Sequence, residues 1–145
     1  MKFAKQTCSA SMLGLAAMLS LSTAQAFAED GDAAKGEKLF KKCKACHAVG
    51  EGAKHKVGPI LTGVFGRAAG MADGYDKYGK SLKAAGESGL VWNEEELFEY
   101  LKNPKKYLRK KLDDKKAKSK MSYKMKKKGQ RRDIIAYLKT FSKSE

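Results

Sequence analysis

Apolar positions in this chain gather into a few short helical stripes, separated by polar, glycine-bearing stretches of no sustained period. Asp32 stands before Ala33-Ala34-Lys35-Gly36-Glu37-Lys38-Leu39-Phe40, where Gly36, Leu39 and Phe40 share one helical face and the aspartate can serve as N-cap. Residues 48–79 carry several glycines, Pro59 and no periodicity, so they read as long loops, and 80–87 read as a short helix. Asn93 followed by Glu94-Glu95-Glu96 is a capping-box-like start for a helix bearing Leu97, Phe98, Tyr100 and Leu101. That helix must end near Asn103-Pro104, and a second, lysine-rich piece runs from Pro104 to about Leu112. The last helix, about 129–142, sets Ile134, Ile135, Leu138 and Phe141 along one stripe with Tyr137 beside it. No internal repeat and no strand-rich region is evident, so the class is all-α.

The N-terminal pattern differs from the rest. Lys2 and Lys5 precede an apolar run over 11–21, too short to span a bilayer, and then Ala24-Gln25-Ala26-Phe27-Ala28. This predicts a secretory signal peptide, residues 1–28, cleaved after Ala28, with cleavage after Ala26 as the close second. Cys8 lies ahead of the apolar run, which argues against a lipoprotein site. The remaining residues 29–145 are one domain by length. Removing Lys2 and Lys5 from 31 basic side chains leaves 29 against 16 acids, a formal +13. Such a field implies an acidic partner surface, nucleic acid or anionic lipid, and export argues against nucleic acid.

Two cysteines remain after cleavage, both in Cys43-Lys44-Ala45-Cys46-His47, so no disulfide framework can be built. Thiols three residues apart with a histidine immediately after form the c-type haem attachment sequence. On one helical turn Cys43 and Cys46 share a face, so both sulfurs can reach the two vinyl groups on one edge of a porphyrin. His47 can then bring its imidazole beneath the iron. A loop stretch as long as 48–79 would count against a compact domain, but is expected where chain wraps a haem. The methionines available as a second ligand are Met71, Met121 and Met125, and His55 is a further nitrogen donor. A lone methionine is otherwise core filler.

Taken in order, Cys-Lys-Ala-Cys-His, Gly58-Pro59, 61–67 (LTGVFGR), 89–92 (GLVW), 100–107 (YLKNPKKY), 119–123 (SKMSY) and 134–139 (IIAYLK) resemble a class I cytochrome c. The likeness is greatest to the bacterial periplasmic carriers of the cytochrome c-two and c-550 branch. The resemblance implies a single-domain fold of helices and long loops wrapped around one covalently attached haem c. It implies Met121 as the second axial ligand, because Ser-Lys-Met-Ser-Tyr is similar to the family's ligand loop. Met125 is then core, Met71 a loop residue, and His55 a tie between loops. Pro59 is implied as the acceptor for the second ring nitrogen of His47. Arg67, Tyr78, Trp92 and Tyr100 are implied to surround the haem and its propionates, and Gly36, Phe40 and Tyr137 to form a contact between the terminal helices.

The chain departs from the pattern in three places. Only Lys41-Lys42 separate Phe40 from Cys43, Tyr75-Asp76-Lys77-Tyr78 has an apparent extra residue, and 108–118 replaces a short turn before the methionine loop.

Function follows from the same resemblance: a one-electron carrier, not an enzyme. It would work as a monomer between a cytochrome bc-type donor and a photosynthetic reaction centre, terminal oxidase or peroxidase. Lys42, Lys56, Lys105, Lys120, Lys126 and Lys127 resemble the basic ring such proteins present to acidic surfaces of membrane redox complexes. The basic segment near 104–118 has too few apolar residues for membrane insertion. The rival readings are a haem peroxidase or gas-binding protein with a labile sixth ligand, and a thiol–disulfide oxidoreductase. The latter lacks a βαβ pattern and leaves His47 without a role.

Overall fold

The computed structural model describes residues 30–142, so the expected signal segment 1–28 lies outside the described residues. Five helices are present among them: α1 (Ala33–Phe40), α2 (Lys80–Glu87), α3 (Glu94–Lys102), α4 (Pro104–Lys111) and α5 (Lys128–Lys139). Each start has a local reason. Asp32 accepts from the Lys35 N–H at 3.0 Å, and Asn93 accepts from the Glu96 N–H at 2.8 Å, satisfying donors that have no partner within the helix. Asn103 is extended, which stops α3, and its side chain then caps α4 through the Lys106 N–H at 3.1 Å, with Pro104 in the first helical position.

The terminal helices cross and hold each other. Gly36 is what permits the approach: a Cβ there would run into the Asp133 carbonyl and the Tyr137 side chain. Phe40 packs on Tyr137 with ring centroids 5.4 Å apart, and the Asp32 N–H donates to Asp133 Oδ1 at 2.9 Å. The expected last helix stops earlier than its apolar stripe suggests. Thr140 is its C-cap, yet Phe141 stays on the stripe, 5.0 Å from the Tyr137 ring. Ile134, Ile135 and Leu138 are buried as the periodicity required.

As the lack of periodicity predicted, residues 48–79 contain no helix. They are tied down by backbone pairing instead. Ala68 and Val91 form an isolated antiparallel bridge, with the Ala69 N–H donating to Leu90 O at 2.8 Å and the Trp92 N–H to Arg67 O at 3.0 Å. The described residues contain no helix long and apolar enough to cross a membrane.

Candidate cofactor site

Beyond α1 the chain keeps turning. The Cys43 N–H donates to Phe40 O at 2.8 Å, Cys46 to Cys43 O at 3.0 Å, and His47 to Cys43 O at 2.8 Å. These turns carry both thiols and the imidazole into the wall of one cavity of about 530 Å³, a volume in the range of small-molecule sites. Its walls are mainly apolar, with Phe40, Leu61, Val64, Leu82, Trp92 and Leu138 among them. Neither cysteine is in a disulfide. Burial, and then the neighbouring Cys46, push the Cys43 thiol up to about 11.

His47 is fixed by its neighbours. Its Nδ1–H donates to the Pro59 carbonyl at 2.7 Å, since a carbonyl can only accept, which leaves the Nε2 lone pair available. Burial lowers its pKa below the ordinary histidine value; the Pro59 carbonyl opposes this and the Arg67 cation adds to it. The neutral imidazole, the form that binds metal, is thereby favoured. Gly58 lies flat against the ring, and a Cβ there would collide with it.

Met121 reaches the same cavity from the far end of the chain. Met125 does not line it; that side chain is 2% exposed in the core, and its N–H donates to Leu101 O at 2.8 Å. Met71 is exposed. His55 is engaged elsewhere, its Nε2–H on Asp73 O at 2.7 Å and its Nδ1 accepting from the Ile60 N–H at 3.1 Å, the loop tie expected of it.

Arg67, Tyr78, Trp92 and Tyr100 all line the cavity. Trp92 and Tyr100 meet edge to face at 4.9 Å. Tyr100 is nearly fully buried, and that burial pushes its phenol up against the opposing effect of the Ser119 side chain. Arg67 donates to Ile60 O at 2.9 Å and Thr62 O at 3.3 Å, while burial lowers its pKa and nearby Tyr78 opposes that. The Tyr78 hydroxyl accepts from the Ala72 N–H at 3.1 Å, so its own proton remains to be given.

Of the lysines singled out from sequence, Lys42 and Lys120 stand on the cavity lining, whereas Lys56, Lys105, Lys126 and Lys127 do not. Lys56 donates to Lys44 O at 2.7 Å, and Lys120 to Lys77 O at 2.8 Å. Sequence reasoning missed Tyr75, Lys77, Lys118 and the apolar Val57, 74% exposed, all of which border the cavity. Tyr75 carried a signal in its spacing from Tyr78; Lys77 and Lys118 carried none within a lysine-rich chain.

Two thiols one turn apart, an imidazole of fixed tautomer, a thioether and a large apolar cavity with an arginine and tyrosines on its wall fit a haem joined through two thioether bonds. No cluster of three or more acidic, histidine or cysteine side chains suited to a bare metal ion occurs among the described residues.

Comparison with known proteins agrees. Residues 33–142 match the family model described as Cytochrome c. Cytochrome c2 iso-1 of Rhodospirillum centenum is 48% identical over 120 residues, covering 79% of this chain and 99% of that one. Cytochrome c-551 of Roseobacter denitrificans is 46% identical over 138 residues, covering 91% and 96%. Among solved structures, cytochrome c2 from Rhodospirillum centenum superposes with a TM-score of 0.74 at 48% identity, covering 78% of this chain and all of that one. Ferric cytochrome c-550 from Paracoccus versutus gives 0.72 at 41% identity, covering 79% and 100%. With a large apolar cavity, the attachment sequence in its wall and relatives matched over nearly their whole length, the chain belongs to the cytochrome c family as a class I c-type cytochrome, an electron carrier with one covalently attached haem c.

Proposed function

We propose that the chain carries single electrons in the periplasm, with Cys43 and Cys46 as the thioether attachments and His47 and Met121 as the axial ligands. The observation behind this reading is that His47 and Met121 line one cavity, while Met125 is buried in the core, Met71 is exposed and His55 is hydrogen-bonded between loops. When bound, haem supplies a one-electron couple between ferrous and ferric iron. The protein does the rest. Pro59 holds the imidazole tautomer and strengthens His47 as a donor. The thioether of Met121 is soft and favours the lower oxidation state, and the apolar wall excludes water and acts in the same direction. Arg67 and Tyr78, both on the cavity wall, would supply donors for the haem propionates, whose burial would otherwise be very costly.

The donor in this reading is a cytochrome bc-type complex, and the acceptor a reaction centre, oxidase or peroxidase. Lys42 and Lys120 at the cavity, with Lys56, Lys105, Lys126 and Lys127 beyond it, steer the encounter. The Debye length falls from about 30 Å at 0.01 M salt to about 10 Å at 0.1 M, so second-order rates with an acidic partner fall over that interval.

Optical spectra of the matured protein, reduced and oxidised and extended into the near-infrared, test the ligation. The expected result is a c-type reduced spectrum with a weak ferric methionine–iron band that disappears in Met121→Ala. A c-type spectrum lacking that band, with a response to carbon monoxide, would overturn it in favour of a labile sixth ligand.

A further inference from the structure

Arg131 is the one charged side chain buried among the described residues, 1% exposed, at the head of the α5 stripe that continues through Ile134 and Leu138 into the cavity wall. A guanidinium is costly to desolvate, so its surroundings show what it holds. Its Nη1 donates at 2.8 Å to two successive backbone carbonyls, Met125 O and Lys126 O. Its Cζ sits 4.1 Å above the centre of the Phe98 ring on α3, and Nε has no hydrogen-bond partner. The two hydrogen bonds run to the segment that follows Met121, while the ring contact runs to α3.

That segment is fastened at two places. Upstream, the Lys118 N–H donates to Ser81 Oγ at 3.0 Å and Lys120 Nζ to Lys77 O at 2.8 Å. Downstream, the Met125 N–H donates to Leu101 O at 2.8 Å, and Arg131 grips the next two carbonyls. Between the clamps, residues 122–124 make no backbone–backbone hydrogen bond among the described residues. The reach of Met121 into the cavity therefore depends on where the two clamps hold the strand.

We infer that Arg131 is the positioning residue for Met121: by anchoring the Met125 and Lys126 carbonyls to α3 and α5 it keeps the ligand loop closed over the haem. The inference rests on Met121 being the axial ligand. Without the guanidinium the buried Met125 carbonyl and the part-buried Lys126 carbonyl lose their donor, and moving the segment outward lets water replace it at the buried one. The open form is then populated more, and any external ligand competing for the iron gains apparent affinity in proportion.

Imidazole titration of the ferric, haem-loaded protein reads this directly. Arg131→Met is expected to raise the apparent affinity for imidazole about tenfold or more, the scale set by hydrogen bonds to a charged group. Arg131→Lys, which keeps a donor in place, is expected to restore most of the loss. Ile135→Ala, buried but outside the cavity lining, is the control: it lowers the melting temperature and leaves imidazole affinity unchanged. If Arg131→Met lowers the melting temperature alone, or Ile135→Ala shifts the affinity equally, Arg131 is merely structural and the inference is overturned. Should Arg131→Met fail to accumulate, Arg131→Gln, whose shorter neutral amide cannot span both carbonyls, carries the test in its place: a severalfold gain in affinity over wild type supports the inference and none overturns it. Met121→Ala separates the two readings, since an affinity equal to wild type there would remove Met121 as ligand before Arg131 is considered.

Discussion

The crossing of α1 and α5 and the loops that enclose the cavity are stabilised in different ways. At the crossing, protein packs on protein: Gly36 lies against the Asp133 carbonyl, Phe40 on Tyr137, and Ile134, Ile135 and Leu138 are buried behind them. Around the cavity, residues 48–79 and 112–127 have no helix, and Leu61, Val64 and Met121 among them face a space of about 530 Å³. The first region packs mainly protein on protein, although Phe40, Ile134 and Leu138 also reach the cavity wall; the second is half of an interface whose other half is the cofactor.

The largest test of that contrast is to withhold the haem. Cys43→Ala with Cys46→Ala, prepared free of haem, should abolish the cooperative thermal transition followed by circular dichroism. At about 24 cal/mol per Å³, leaving such a cavity empty costs on the order of 10 kcal/mol, comparable with the whole stability of a small domain. Hydrogen exchange on this variant should find the residual protection in α1 and α5. Protection spread evenly along the chain would erase the distinction between the regions. Gly36→Val attacks the other side: forcing the helices apart should cost about 3 kcal/mol in urea denaturation of the haem-loaded protein, with the axial-ligand spectrum kept.

The helical pieces were legible because their signals are local. Asp32, Asn93 and Asn103-Pro104 announce their own helix boundaries, and the stripes on α1 and α5 point at each other. The attachment sequence was legible because its chemistry is contiguous. Met121 and Pro59 were not readable from spacing and came only through the resemblance, since a loop residue shows where it lies by what it touches. Arg131 is the clearest loss. A charged residue heading an apolar stripe reads as a surface position, and only its three-dimensional partners, two carbonyls and a ring, show it inside. The end of α5 was overrun because Phe141 stays on the apolar stripe after the helix has stopped.

A smaller effect sharpens the comparison at the join between the regions. Tyr107 on α4 meets Tyr100 at 5.5 Å and Trp92 at 6.3 Å, and its hydroxyl donates to Glu96, which also pairs with Lys111. Tyr107→Phe should cost about 1 kcal/mol by denaturant midpoint, as expected for one hydrogen bond, and leave the haem spectrum unchanged. Smaller again is the pH dependence. Burial pushes the Glu96 carboxyl up, but Lys111 and Tyr107 overcome that and hold it below the ordinary glutamate value. A group whose folded pKa is depressed contributes stability above its unfolded pKa and loses it as pH falls through the folded one. The melting temperature of wild type should therefore drop more steeply than that of Glu96→Gln below pH 5.

Gly58 gives the molecule a fixed point in sequence space. Its backbone angles are ordinary, so nothing in the chain's own conformation asks for glycine, whereas Gly63, Gly66 and Gly89 have left-handed angles and open space where a Cβ would go. Those three tolerate an asparagine at the price of some strain. Position 58 tolerates no side chain at all, because the imidazole already occupies the room. Drift can reshape the loops, lengthen the lysine-rich segment and rearrange the charged surface, while lineages that keep His47 on Pro59 must also keep a hydrogen atom where every other residue would place carbon.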